Sequence, residues 1–456
     1  MRPFLPNWIF KVILLTLLNL LNFNNVCGQK FSSDNNYIEI PDFSDVSSFL
    51  DVEIKVQGLP QKMNKKYGLE KVQLAVQHSR ISDIKVVLIS PDGLEVWLTN
   101  RHGRNGANYT ETIFSNVGFR GRISDGSPPF LGEYLPDGVL SNFNDGRNPN
   151  GIWKLRVYDL EKGITGKFGS VILFFSNNPA FDKVSKCSLE NPKACTCNGH
   201  KSKKSCDLLP DLTLIKEITE KEIYEIPYNS KLEYGELRFG VSTFNKGLGP
   251  LEVKGNNIWK CKGEIVSKES ICEDGTYPRQ EVFQTIYIKD KNKITTRVKP
   301  AGFNAYDARP GHEHFHSDDY VNYELLVPSE KDTSEWEIAC KGTKASFCIW
   351  DLNYCRDELK NCKDINGKLF LVKDLPNYGF KGYKDCLPEV QGLSVGGVDY
   401  YGEGFEGQSI QLPRGFKNGI YYLKIEIDPL NLFEESDENN NSFLIPVTIK
   451  NQINLQ

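Results

Sequence analysis

Short runs of β-branched and aromatic residues, each closed by turn chemistry, recur on both sides of a lysine- and cysteine-rich stretch in this chain. Val72-Gln73-Leu74-Ala75-Val76, Ile84-Lys85-Val86-Val87-Leu88-Ile89 and Val171-Ile172-Leu173-Phe174-Phe175 read as strands. Ser90-Pro91-Asp92-Gly93 and Asn144-Asp145-Gly146 read as the turns between such strands. The same pattern resumes at Leu209, with strands predicted over Leu237–Phe244, Val282–Ile288 and Gly419–Ile427. Plentiful Gly and Pro and many aromatics fit short strands joined by turns, so the chain is read as all-β. At 456 residues it is long enough for more than one packed core. The expected division is a β-sandwich over 35–180, a Cys/Lys-rich linker over 181–207 and a second β-rich domain over 208–450. The first domain holds no cysteine, so apolar packing must hold it together.

Charge and cysteine usage narrow the setting. A formal net charge of −4, with no basic stripe backed by aromatic platforms, argues against nucleic acid as a partner. Residues 1–28 read as a secretory signal: Arg2 and Lys11 bracket a basic start, an apolar run follows, and Val26-Cys27-Gly28 offers small residues for cleavage. An uncleaved anchor is the competing reading, but the run is short for a spanning helix, so no membrane association is expected after signal removal. If Cys27 leaves with the signal, eleven cysteines remain, which fits an oxidising compartment and means at least one free thiol or an intermolecular bridge. In the linker, Cys187, Cys195, Cys197 and Cys206 are read as small disulfide loops rather than a zinc knuckle with His200. Asn108-Tyr109-Thr110 is an N-glycosylation sequon.

Three of the six histidines fall within Gly311-His312-Glu313-His314-Phe315-His316-Ser317, at every second position. On a strand, alternate side chains share a face, so the three imidazoles would line up. The β-rich run Tyr320–Val327 behind them favours a strand. Three neutral imidazoles suit a borderline transition metal; a polar strand face is the alternative. The histidines alone leave Zn(II) hydrolysis, Cu(II) chemistry and a cupin-type site all open.

Two resemblances bear on the choice. His78-Ser79-Arg80-Ile81-Ser82-Asp83-Ile84, Leu88–Gly93, Pro129-Phe130-Leu131-Gly132-Glu133-Tyr134, Asn150–Asp159 and Gly166 follow in the order and spacing of the P domain (homo B domain) of subtilisin-like proprotein convertases. The resemblance covers nearly all of 35–180 and implies a jelly-roll β-sandwich. A subtilisin-type triad needs Asp, His and Ser on an α/β domain, and the residues before Asn35 supply none, so the sandwich is expected to be non-catalytic: a spacer, folding partner or substrate-docking module.

The second region resembles the catalytic domain of lysyl oxidases from Leu209 to about Ile449. The residues that carry this are Leu209-Pro210-Asp211-Leu212, the three histidines, Gly342-Thr343-Lys344-Ala345-Ser346-Phe347-Cys348 with Asp351 and Cys355, Gly392-Leu393-Ser394-Val395-Gly396, Asp399-Tyr400-Tyr401-Gly402 with Gln408, and Glu435–Asn441. The resemblance implies a β-sandwich-like domain in which His312, His314 and His316 are copper ligands. It also implies that Lys344 and Tyr401 join to form lysine tyrosylquinone. Asp399 is read either as the base that takes the substrate α-proton or as a turn cap. A calcium site would take Asp211, the Leu212 carbonyl, Glu435, Asp437, Asn440 and Asn441. The formal sequon at Asn440 would then stay bare. The implied activity is oxidation of primary amines, peptidyl lysine among them, by O2, with extracellular matrix proteins as expected partners. A non-catalytic matrix or adhesion protein on the same scaffold is the alternative. Gly311 and Gly397 stand where vertebrate members carry cysteines, so two bridges of that family are not expected. Ala308-Arg309-Pro310 replace the aromatics that precede the histidines in animal enzymes, which puts substrate recognition in question. Cys348 with Cys355, and Cys261 with Cys272, are the pairings expected locally.

Overall fold

The computed structural model describes residues 28–33, 37–45, 47–181, 187–197, 205–309, 312–329, 335–342 and 346–452. The expected signal through Cys27, His200, Gly311 and Lys344 lie outside the described residues. The fold is all-β. Among the described residues no helix is long and apolar enough to cross a membrane.

The front unit is two sheets face to face. One is six-stranded and runs Gln29–Ser32, Gly166–Ser176, Gly68–His78, Tyr109–Ser115 and Gly132–Tyr134, with Ile38–Ile40 also on Gly166–Ser176. The other is four-stranded: Phe49–Val56, Gly151–Asp159, Ile84–Ile89 and Glu95–Asn100. Period-two alternation explains the core. Trp153, Leu155 and Val157 turn inward from Gly151–Asp159, and Trp153 meets Phe143 and Phe175 edge to face. Ile84–Ile89 departs from alternation: all six residues are buried. Its inner face joins the sandwich core, and Lys85 on the other face meets the second unit.

The second unit contains a seven-stranded sheet built on the long strands Leu251–Cys261, Arg279–Asp290 and Lys293–Asp307. Two four-stranded sheets and a three-stranded sheet complete it. The single strand predicted over Leu237–Phe244 is two strands in different sheets, Tyr234–Phe239 and Val241–Asn245. The break falls at Gly240, where a Cβ would lie 2.0 Å from a Glu222 carboxylate oxygen, so the chain passes Glu222 only because no side chain is there.

The linker cysteines close two small loops, Cys187–Cys195 and Cys197–Cys206, and Cys261 pairs with Cys272. The expected Cys348–Cys355 pairing is corrected: Cys348 joins Cys386 and Cys355 joins Cys362. Asp351 accounts for the difference. Its N–H donates to the Tyr383 carbonyl, and its carboxylate accepts the Tyr383 N–H at 2.9 Å, which draws residues 383–386 against 348–351. Cys340 is the unpaired cysteine among the described residues.

The four-stranded sheet of the front unit and the loops at its ends lie against the second unit. Trp97 packs on Trp350 at 5.1 Å and on His314 at 5.9 Å between ring centroids. The Arg122 guanidinium lies 5.3 Å from the Tyr400 ring and 3.8 Å from Glu222. His102, held by Asp137 at 2.9 Å, stacks on the other side of this cluster against Tyr400. Arg104 with Glu403 at 3.1 Å and Lys384 with Asp145 at 2.7 Å close the rim.

Candidate metal and cofactor site

The strand His314–Ser317 pairs with the end of Lys293–Asp307, placing His314 opposite Asp307 and His316 opposite Ala305. Strand pairing stops there. Arg309 folds back so that its guanidinium meets Asp307, the His312 N–H bonds the Arg309 carbonyl at 2.9 Å, and Glu313 takes φ +45°. Alternation along one strand, predicted for all three histidines, therefore covers only His314 and His316; a turn returns the His312 ring to them.

The three rings nevertheless converge, with one nitrogen from each lying within 4.8 Å of the others. His314 Nε2 and His316 Nε2 are 3.0 Å apart, and His312 Nδ1 is 3.4 Å from His316 Nε2. The remaining nitrogens identify which protons are where. His312 Nε2 faces the Glu406 carbonyl at 3.3 Å, and His316 Nδ1 faces the Asp307 carboxylate at 3.0 Å. Oxygens of those kinds only accept, so the protons sit on these outer nitrogens and the inward lone pairs are left for a ligand. Asp307 is buried, which alone would raise its carboxyl; hydrogen bonds from Arg309 and His316 hold it well below the usual carboxylate range. Sequence reasoning missed Asp307. The available signal was that a ligating histidine needs a partner for its second nitrogen, and Asp307 is the nearest acid upstream.

Tyr401 ends the strand Gly397–Tyr401, buried at all five positions. Its ring lies 6.3 Å from His312 at 18° and 6.3 Å from His316. Phe347 covers it at 3.8 Å. The phenol oxygen accepts the Cys348 N–H at 2.8 Å and sits 3.1 Å from the Cys348 carbonyl. Burial, with the charge of Asp399 added, raises this phenol well above its ordinary pKa. Ser317 and Phe347 exchange both backbone hydrogen bonds, at 2.7 and 3.1 Å, so the segment that follows Lys344 is fixed to the histidine strand. Asp399 is buried and shares Tyr401's face by alternation; its Oδ1 accepts the Tyr400 N–H at 2.9 Å. Tyr400 points the other way, and its hydroxyl donates to Glu222 at 2.8 Å. Three imidazoles with converging nitrogens beside a buried phenol fit a copper ion and a tyrosine-derived cofactor.

The residues of the expected calcium site also come together. Asn440 Nδ2 donates to Asp211 at 3.0 Å, Asn441 Nδ2 donates to Glu435 at 2.9 Å, and the Leu212 N–H reaches the other Glu435 oxygen. Burial pushes the Glu435 carboxyl up to about 8. The side-chain oxygens of Asn440 and Asn441 are buried without a hydrogen-bond partner, a donor arrangement that fits a hard cation. Asp437 is on the exposed rim, and Lys246 lies 3.2 Å from Asp211. Asp428 and Glu438, which the motif did not mark, lie beside Glu435.

Family comparisons agree with both halves of the chain. The profile of the proprotein convertase P-domain matches residues 69–175, and that of lysyl oxidase matches residues 371–454. Protein-lysine 6-oxidase of Homo sapiens is 32% identical over 131 residues, covering 28% of this chain and 25% of that protein. Lysyl oxidase homolog 1 of Homo sapiens is 30% identical over 131 residues, covering 28% of this chain and 18% of that protein. The chain thus spans about a quarter or less of the length of these human relatives. The serine protease of Aeromonas sobria aligns over 35% of this chain and 29% of its own, at 16% identity and a TM-score of 0.19, too low to support an argument. Sequence and profile together show that the chain carries a proprotein convertase P-domain and, behind it, a lysyl oxidase domain.

Proposed function

We propose that this protein is a secreted, copper-dependent amine oxidase. It would convert primary amines, peptidyl lysine foremost, to aldehydes: one amine, O2 and water give one aldehyde, ammonia and hydrogen peroxide. One observation supports the reading: nitrogens of three imidazoles converge beside the buried Tyr401 ring, with the segment that follows Lys344 pinned to the same strand. His312, His314 and His316 would hold the copper. Copper with O2 would supply the oxidising power to join Tyr401 and Lys344 as lysine tyrosylquinone, whose carbonyl could accept a primary amine. Asp307 and the Glu406 carbonyl would orient His316 and His312 through their outer nitrogens. Phe347 fixes the plane of the Tyr401 ring, and its neighbours exclude water around it. Asp399 is on the right face to hold a proton taken from the substrate α-carbon. Calcium at Asp211, Leu212, Glu435, Asp437, Asn440 and Asn441 would tie the C-terminal loop to the start of the domain, a structural role. The apolar N-terminal run and five disulfides support export. The test is amine-dependent hydrogen peroxide release by the purified, copper-loaded protein, offered a lysyl peptide and n-butylamine, with a tertiary amine as control. No peroxide from a copper-loaded sample would sink the oxidase reading and leave the non-catalytic scaffold.

A further inference from the structure

A cavity of about 360 Å³ borders the histidines, and both units wall it. Lys85, Trp97 and Tyr158 of the front sandwich face Glu313 and His314 across it. The Lys85 ammonium is buried here, 4.4 Å from the Trp97 ring centroid and 5.4 Å from that of Tyr158. The Glu313 carboxylate is 3.7 Å away. Burying an ammonium is expensive unless rings and carboxylates replace its water. The two rings and Glu313 offset part of that cost, with burial still holding Lys85 below its ordinary range, so the cavity wall displays a cradle for an alkylammonium next to His314. A second feature makes exchange of the occupant feasible. Glu95 stands exposed at the rim and acts electrostatically on Lys85, which gives a displaced flexible stem a new partner.

We propose that the P-domain-like sandwich supplies the ammonium-recognition wall of the amine site. Trp97 and Tyr158 with Glu313 bind the cationic end of a lysine-type amine, and Lys85 is a built-in competitor that such an amine displaces. The substrate role rests on the oxidase reading; the cradle does not. Trp97 and Tyr158 bring aromatic rings to the cavity from the other unit.

The test uses the full-length protein and n-butyltrimethylammonium, which has no N–H and cannot condense with a carbonyl. Calorimetry should show Lys85→Met, and the polar variant Lys85→Gln, binding this probe about tenfold tighter than the unmutated protein. Adding Trp97→Leu to either variant should remove that gain. In turnover, Lys85→Met should lower KM for a lysyl peptide and for n-butylamine alike, with the change carried by KM; a gain for the peptide alone would assign the wall to peptide contacts and overturn the ammonium cradle. Equal probe affinity across folded variants, with unchanged near-UV circular dichroism, would also overturn it. A protein that shows the expected probe binding but yields no peroxide retains the cradle and loses the oxidase reading.

Discussion

Tyr400 and Tyr401 are consecutive, chemically identical and buried, and the structure gives them different duties. Tyr400→Phe removes a hydroxyl that donates to Glu222 at 2.8 Å inside the contact between the two units. A hydrogen bond to an ionised carboxylate contributes about 1.5–3 kcal/mol, and one to a neutral carboxyl about 1 kcal/mol. Burial pushes the Glu222 carboxyl up, so the lower part of that range applies, and a loss of about 1–2 kcal/mol is expected. For a unit of 150–250 residues this is a fall in Tm of roughly 2–8 °C. The Phe ring keeps its place beside Arg122 and His102, and the quinone should form normally.

Tyr401→Phe removes an oxygen that accepts the Cys348 N–H and faces the Cys348 carbonyl, leaving two buried backbone groups unpaired. That costs about 1–3 kcal/mol for each group left unpaired, so both variants should melt earlier. Melting alone therefore does not separate the two variants. Quinone content does: redox-cycling stain should be lost in Tyr401→Phe and kept in Tyr400→Phe. Lys344→Arg should also lose it, because a guanidinium stays protonated and is a poor nucleophile. Peptide mass spectrometry of the copper-loaded proteins supplies the check. A quinone in Tyr401→Phe, or a Lys344–Tyr400 cross-link, would refute the reasoning.

Three further outcomes are expected. His314→Ala should bind no copper at stoichiometric loading, and Asp307→Asn should weaken binding by about 10–100-fold by loosening the His316 tautomer, both read by metal analysis after dialysis. Calcium should raise Tm in the full-length protein and EGTA should reverse it; Asn441→Leu should abolish the difference, since it removes a buried oxygen aimed at the site. Burial pushes Asp351 up to about 7 against hydrogen bonds from the Tyr383 and Ser394 N–H groups, whereas the unfolded chain titrates near 4. Between those values the folded state holds the extra proton, so stability falls as pH rises from about 4 to about 7, and Asp351→Asn should flatten that slope in denaturant titrations.

The all-β class and the strands Ile84–Ile89 and Gly419–Ile427 were legible because apolar runs and turn residues act locally. The histidines and Tyr401 were legible as motifs, and the structure brings their side chains to one place. What escaped the sequence depends on partners far away along the chain. Cys348 could not choose between Cys355 and Cys386 without Asp351 drawing Tyr383 close. Glu222 carries no motif, yet it meets Tyr400 from 178 residues away and forces glycine at position 240. Lys85 read as one polar residue in an apolar strand; its meaning required Glu313 of the other unit.

The contact between the units changes how the front sandwich is understood. A spacer would present an ordinary polar surface at the end of a loose linker, as independent domains usually do. Here Ile84–Ile89 is covered on its second face, Trp97 enters the packing of the second unit, and Arg122 is half-buried over Tyr400. Each of those contacts falls close in sequence to the proposed chemistry. Tyr400 adjoins Tyr401, Glu313 separates two of the histidines, and Trp350 follows the segment that pins Phe347. A single-residue change in the sandwich can therefore alter the geometry of the histidine turn or the cofactor strand without touching a ligand. Through these contacts the sandwich shapes the place where the proposed chemistry is done.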